Sequence, residues 1–271
     1  MRLGFIGTGS ITTALVTGYH FEGFDPMEVF DDEFVPPEPR PSIIVSPRNP
    51  ERAAALARKF SGVEVASDNQ DVVDASDVVF LAVRPQDAEG IVKELSFRAD
   101  QRIVSLLPTF RIETVQSWVA PATKICRACP LPSVAQRKGP VLVHGDEETL
   151  ELVRLPGGGQ FKAHDEGTFQ RIWTVTGMIS PLYDILSTMS SWVAGRDSDP
   201  LVEKYLAELT IALCSNRTRP GSDSFLELAA EAQTPGGLNE QAARMNREAG
   251  VPDAFREALE AIWARFEGPS S

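Results

Sequence analysis

Six residues near the start of the chain have the types and spacing to hold a phosphate group. Gly7-Thr8-Gly9-Ser10-Ile11-Thr12 follows the apolar run Arg2–Ile6 and opens a helical pattern over Ile11–Tyr19. Strand, glycine-rich turn and helix in that order gather backbone N–H groups at a positive helix end, where a pyrophosphate can sit. Gly7 permits the tight turn and Gly9 a close approach of backbone to phosphate. Thr12 stands where a third glycine would bring helix and strand closest, so a slightly wider fit is expected. At the end of the second strand, where Asp or Glu would hold a free ribose 2′-hydroxyl, the chain reads Ser46-Pro47-Arg48-Asn49. A hydroxyl, a guanidinium and an amide suit a 2′-phosphate, which favours NADP(H) over NAD(H).

A second anion seat is expected far along the chain. Pro235-Gly236-Gly237 precedes a helix over Leu238–Ala249, and two consecutive glycines at a helix start leave the amides uncovered for a carboxylate. Other patterns are set aside. Cys126-Arg127-Ala128-Cys129 has redox or metal spacing, but it falls on a predicted strand followed by Pro-Leu-Pro, so buried thiols are expected. His20, His144 and His164 are scattered through unrelated segments as ordinary surface or loop residues, and no metal site is expected. Gly157-Gly158-Gly159 lacks a preceding strand and a following Lys-Ser or Lys-Thr and reads as a flexible connector.

The elements that must position these residues alternate in period. Strands are predicted at Arg2–Ile6, Ser42–Ser46, Val63–Ala66, Val78–Val83, Arg102–Leu106 and Lys124–Arg127, with helices at Ile11–Tyr19, Pro50–Lys59, Asn69–Ala75, Pro85–Leu95 and Ile112–Val119. Asn49-Pro50-Glu51 combines a cap, a proline at the first helical position and a carboxylate at the positive end. The fold class is α/β, a Rossmann-type doubly wound parallel sheet over residues 1–165, followed by an all-α helical domain over residues 166–271. Glu22–Pro41, with seven acids and five prolines, interrupts the alternation as a surface excursion. In the helical part, Asp199-Pro200 opens a helix whose Val202, Tyr205, Leu206, Leu209 and Leu213 share a face; Asp253 opens another carrying Phe255, Ala258, Leu259, Ile262 and Phe266. Such stripes can be buried against a second copy, giving a homodimer, or against one another in a monomer.

Composition narrows the function classes. The chain has 271 residues and a formal charge of −12, which repels phosphate backbones and anionic membrane surfaces, so nucleic acid is not an expected partner. Ile172 to Gly195, the longest weakly charged segment, contains Pro181 and Asp184 and reads as a buried helix, not a membrane span. The N-terminus enters a strand directly with no signal-peptide pattern, and three cysteines are too few for a disulfide framework; a cytoplasmic address is expected.

Leu81-Ala82-Val83-Arg84-Pro85-Gln86, Arg127-Ala128-Cys129-Pro130 and Thr234-Pro235-Gly236-Gly237, taken with the glycine-rich start and Ser46-Pro47-Arg48, resemble the pyrroline-5-carboxylate reductase family in order and over nearly the whole chain. The strongest stretch runs from Ile43 to Gln86. By that resemblance Gly7, Thr8, Gly9, Ser10, Ile11 and Thr12 hold the pyrophosphate, Ser46 and Arg48 the 2′-phosphate, and Asn69 the adenosine side. Ala82, Val83, Arg84 and Pro85 hold the middle of the dinucleotide. Pro235, Gly236, Gly237, Leu238, Asn239 and Tyr183 contact a small cyclic imine carboxylate, in a pocket formed by helices of two subunits. The implied reaction is hydride transfer from NADPH to the C=N carbon. An iminium is already electrophilic, so positioning it and binding its carboxylate suffice without a strict His or Lys acid.

Departures from the family gather at the chemistry. Leu238-Asn239 replaces Thr-Thr, so Asn239 can donate a hydrogen bond but carries no hydroxyl. Cys129-Pro130-Leu131 replaces Met-Pro-Asn; in the segment Gly177 to Tyr183 only Pro181 and Tyr183 match; and Ser105-Leu106-Leu107-Pro108 replaces smaller residues after the fifth strand. Two alternatives stay open: a nucleotide-binding sensor or scaffold without turnover, and another oxidoreductase of the same cofactor-domain group acting on a deazaflavin or a hydroxyacid.

Overall fold

In a computed structural model of the chain, residues 1–21, 40–195, 198–215 and 224–267 are described. The acidic excursion Glu22–Pro41 lies outside them but for its last two residues. In chain order the elements are β1 (Arg2–Ile6), α1 (Ser10–Tyr19), β2 (Ser42–Val45), α2 (Pro50–Lys59), β3 (Val63–Val65), α3 (Asn69–Asp74), β4 (Val78–Leu81), α4 (Pro85–Val92), β5 (Arg102–Ser105), α5 (Ile112–Val119) and β6 (Lys124–Cys129). There follow β7 (Pro140–Gly145), α6 (Glu147–Val153), β8 (Gly159–Lys162), α7 (Glu166–Val175), α8 (Ile179–Ala194), α9 (Pro200–Ser215), α10 (Phe225–Glu231), α11 (Leu238–Glu248) and α12 (Val251–Glu267).

The strands form one sheet in the order β3-β2-β1-β4-β5-β6-β7-β8. It is parallel from β3 through β6, turns antiparallel at β6–β7, and is parallel again at β7–β8. The apolar runs of β1 and β4 are buried on both faces, as a sheet covered by helices on each side requires. Leu3 and Phe5 enter one core with α1 and α2, whereas Ile6 enters the other with Val72, Ala88 and Val115. Phe5 stacks on Phe80 at 4.4 Å across the β1–β4 seam. The start of α2 forms as expected: Asn49 Oδ1 accepts from Arg52 N at 3.1 Å, Pro50 leads the helix, and Glu51 sits in the first turn.

Three elements were not expected. Gly157-Gly158-Gly159 is not a loose connector, because Gly158 N donates to Gly139 O at 2.8 Å and Gly159 begins β8. β7 and α6 precede it, with Asp146 capping α6 by accepting from Thr149 N at 2.9 Å. β6 also extends to Cys129, two residues past its expected end, where it pairs with Leu142.

Of the described residues, Met1–Trp173 with Phe266–Glu267 form one compact unit and Thr174–Arg265 a second. The first holds the sheet and both large cores. The second is wholly helical and thinly packed: in α8 only Ser190 is buried and in α9 only Leu206. The segment Ile172 to Gly195 is therefore not a buried helix in the single chain; Leu182 and Val193 are exposed, and Trp192 is 85% exposed. Among the described residues no helix is long and apolar enough to cross a membrane.

Candidate functional site

The order β2-β1-β4 places the β1–α1 turn at the point where successive connections leave for opposite sides of the sheet, the crevice in which open α/β sheets bind ligands. Gly7 has φ +100, and a Cβ there would lie 2.5 Å from Ala82 O, so only glycine lets the end of β1 rest against the end of β4. Gly7 N donates to Ser46 Oγ at 2.9 Å, Thr8 Oγ1 donates to Ser46 O at 2.5 Å, and Thr12 Oγ1 donates to Gly7 O at 2.6 Å. Thr12 is fully buried, and its hydroxyl ties the first helical turn to the glycine turn. Ile11 packs its side chain against the core beneath.

This turn fits a pyrophosphate. Gly9 caps α1 with extended backbone and no side-chain hydrogen bond, and no acid occupies the first turn. A Cβ on Gly9 would meet nothing within 4 Å, so the space a phosphate needs is open in front of the first helical amides.

Beside the turn lies an open cleft of about 610 Å³ lined by Pro47, Arg48, Asn69, Gln86 and Asp87 among others. It brings together Arg48, expected to hold the 2′-phosphate, and Asn69, expected on the adenosine side, from the segment after β2 and the start of α3. Arg48 Nη2 lies 3.1 Å from Asp87 Oδ2, and Arg84 Nη2 lies 2.9 Å from the same oxygen. Hydrogen bonding from Arg84, and then the charges of Arg84 and Arg48, hold the Asp87 carboxyl below the usual carboxylate range. Ser46 differs from expectation. Its side chain is fully buried and engaged with Gly7 and Thr8, so it braces the glycine turn instead of facing the cleft.

Further along the sheet, Arg127 stands in two of the quoted motifs but has no role of its own in either. It is fully buried on β6, with Nη1 3.0 Å from Glu166 Oε1 and Nη2 donating to Pro108 O and Gln170 Oε1, both at 2.9 Å. Its guanidinium lies over the rings of Phe169 and Trp173, at 4.7 Å and 5.4 Å. Burial pushes Arg127 below its ordinary pKa, against the opposing pull of Glu166. Glu166 Oε1 also accepts from Ile112 N at 2.7 Å, so one carboxylate oxygen serves both β6 and the start of α5. A charged residue inside the apolar alternation of Lys124–Cys129 was the available signal. On either side of it the thiols of Cys126 and Cys129 are buried as expected, and burial pushes Cys129 up to about 12. His20 is not a surface histidine: it is buried, stacked 4.8 Å from Phe60, with Nδ1 2.9 Å from Val16 O.

The second expected anion seat is already engaged. Gly236 N donates to Glu240 Oε2 at 2.6 Å and Gly237 N to Thr234 O at 2.8 Å, so neither glycine amide is uncovered. Glu240, in the first turn of α11, supplies from within the chain the negative charge that the positive helix end attracts. Asn239 Nδ2 donates to Ala232 O at 3.0 Å, Leu238 is 85% exposed, and Tyr183 stands exposed on α8.

Comparison with known proteins bears on the whole chain. The family described as "NADP oxidoreductase coenzyme F420-dependent" matches residues 2–109. Pyrroline-5-carboxylate reductase 2 of Bacillus subtilis is 28% identical over 96% of this chain and 91% of its own. The crystal structure of 1-pyrroline-5-carboxylate reductase from Streptococcus pyogenes shares the fold with a TM-score of 0.78 at 18% identity, covering 98% of both chains. The Plasmodium falciparum pyrroline carboxylate reductase, solved with NADP bound, gives 0.78 at 14% identity over 100% of this chain and 98% of its own. Likeness in sequence to a pyrroline-5-carboxylate reductase and likeness in fold to two solved structures of such reductases both run nearly end to end.

Proposed function

We propose that the chain is an NADPH-dependent reductase of a cyclic imine carboxylate, converting 1-pyrroline-5-carboxylate to proline or acting on a near analogue. The observation that carries this reading is the open, uncapped helix start at Gly9 in a chain alike from end to end to reductases of that substrate. In the proposed division of labour residues 1–165 hold the dinucleotide and residues 166–271 hold the substrate. The amides at the start of α1 hold the pyrophosphate, Asn69 and Arg48 line the adenosine cleft, and Ala82 to Pro85 flank the middle of the cofactor. A 2′-phosphate fits a β2 terminus that offers guanidinium and no carboxylate, and this supports NADP(H) over NAD(H).

Bound nicotinamide supplies a hydride for the C=N carbon, and the imine nitrogen, protonated beforehand, keeps its proton as the ring amine forms. The protein's part is to orient the iminium and its carboxylate, with the Pro235–Gly237 turn as carboxylate seat once Glu240 leaves the Gly236 amide, and Asn239 as a neutral donor. The apolar faces left open on α8 and α9 support a homodimer through the helical unit.

The test is oxidation of NADPH by the purified chain with 1-pyrroline-5-carboxylate and a panel of small cyclic imines. Turnover with proline formed is the expected result; tight NADPH binding with no turnover across the panel overturns the enzyme reading. A second reading, a dinucleotide sensor without turnover, is favoured by Glu240, whose carboxylate already occupies the Gly236 amide. The same assay separates the two.

A further inference from the structure

The pairing register draws a row across the sheet from Ile6 on β1 through Leu81 on β4 and Ser105 on β5 to Arg127 on β6. At the first three of these the strands end, giving way to the Gly7 turn, to Ala82–Pro85 and to the segment 106–111 that leads into α5. A dinucleotide with its pyrophosphate at the Gly7 turn and its adenosine toward β2 and α3 runs the other way along this edge. Its nicotinamide then arrives past β4, beside segment 106–111.

One ion pair fastens that segment at both ends. Near its start, Arg127 Nη2 donates to Leu107 O at 3.3 Å and to Pro108 O at 2.9 Å. At its end, the N–H of Ile112, the first residue of α5, donates to Glu166 Oε1 at 2.7 Å, and α5 has no side-chain cap of its own. Arg127 Nη1 lies 3.0 Å from the same Glu166 oxygen and joins the two fastenings. Gln170 Oε1 and the rings of Phe169 and Trp173 hold the guanidinium from α7. Apolar side chains would hold β6 in the interior at least as well as a buried cation, so stability alone does not account for an arginine here; fixed geometry does.

We propose that Arg127 and Glu166 are positioning residues for hydride transfer: their ion pair fixes segment 106–111 as the wall on which the nicotinamide ring rests, and so sets the distance and angle between ring and imine. Neither side chain needs to touch the ring. A small displacement of this wall misaligns the donor and acceptor carbons while the phosphate and adenosine contacts stay in place, so the effect falls on kcat and not on affinity. The inference rests on the imine-reductase reading above, and one arm of the experiment needs no turnover.

Arg127→Lys keeps a cation opposite Glu166 but cannot present a planar fork to Leu107, Pro108 and Gln170 together, whereas Glu166→Gln keeps an acceptor for Ile112 N and removes the charge. The full chain and both variants are compared in thermal unfolding, in kcat and KM for 1-pyrroline-5-carboxylate, and in the primary isotope effect with NADPH deuterated at the transferred position. Binding is measured for NADPH and for 2′-phospho-ADP-ribose, which lacks the nicotinamide, together with the nicotinamide emission of bound NADPH. Each variant is expected to lose about tenfold in kcat, to keep KM and the affinity for 2′-phospho-ADP-ribose within about twofold, to show a larger isotope effect, and to shift the emission of bound NADPH. A fall in kcat no greater than the loss of folded protein, equal weakening of NADPH and 2′-phospho-ADP-ribose, or unchanged kcat and emission overturns the proposal. Where Arg127→Lys does not fold, Glu166→Gln, at a partly exposed position, decides alone. A wild-type chain that binds NADPH without turnover removes the reductase reading, and the emission of the variants then decides by itself whether the ion pair holds the ring.

Discussion

Gly7-Thr8-Gly9 and Pro235-Gly236-Gly237 look alike as strings, each a pair of glycines ahead of a helix, yet their amides meet different fates. At α1 no acid stands in the first turn and the space before Gly9 is open. At α11 Glu240 folds back onto Gly236 N at 2.6 Å. Glycine confers access to a helix end, but the first-turn side chains decide whether an external anion can use it. The contrast separates a site prepared for a ligand from one where a ligand must displace part of the chain.

Substitutions at three of the four glycine positions test this difference. Gly7→Ala is expected to lose about 3 kcal/mol in chemical denaturation, because φ +100 and the carbonyl of Ala82 both oppose a methyl group. Gly236→Ala, where φ is +73 but nothing lies within 4 Å of the added carbon, should lose about 1 kcal/mol. Equal losses would mean that backbone contact with β4 is not what requires glycine at the first turn. Gly9→Ala should leave stability within about 0.5 kcal/mol and weaken NADPH about tenfold, since its methyl group enters only the space before the amides. Unchanged affinity would place the pyrophosphate elsewhere.

The second turn is probed through its own carboxylate. Glu240→Gln should lower KM for the imine carboxylate about threefold, the equivalent of ~0.6 kcal/mol, by weakening the internal competitor for Gly236 N. No change in KM would remove the carboxylate seat from that turn. The smallest effect concerns Asp87. With its carboxyl depressed by Arg84 and Arg48, it stays ionised through the ordinary aspartate range, and the Arg48 and Arg84 contacts are lost only as pH falls through its lowered value. Carboxyl-carbon NMR should give a midpoint below about 3.9, moving back up in Arg84→Ala.

The parallel half was legible because its signals are local. Alternating apolar runs, the Asn49 cap and the glycine turn each announce themselves within a few residues, and β1 through β6 appear where the pattern puts them. β7 and β8 were missed for a physical reason: β8 is a four-residue edge strand, Gly-Gln-Phe-Lys, with no residue in the core. Its place depends on pairing with Val141 and Val143, which no local period encodes. At the site, Arg48 was singled out from the end of β2 and Asn69 from the family resemblance, and both line one cleft. The inward turn of Ser46 was not, because it depends on Gly7, 39 residues earlier. Arg52 reaches Ser10 across 42 residues and Arg127 reaches Gln170 across 43, so both escaped reading along the chain.

The single oxygen of Glu166 that meets both Arg127 and Ile112 N has a consequence for how the protein can diverge. Positions 127, 166 and 170 form one hydrogen-bonded unit: loss of Glu166 leaves the fully buried Arg127 guanidinium without its carboxylate, and loss of Arg127 removes the donor that Gln170 Oε1 accepts from. In a randomised library selected for folding, these three sites should vary together or not at all, while the exposed faces of α8 and α9 drift one residue at a time.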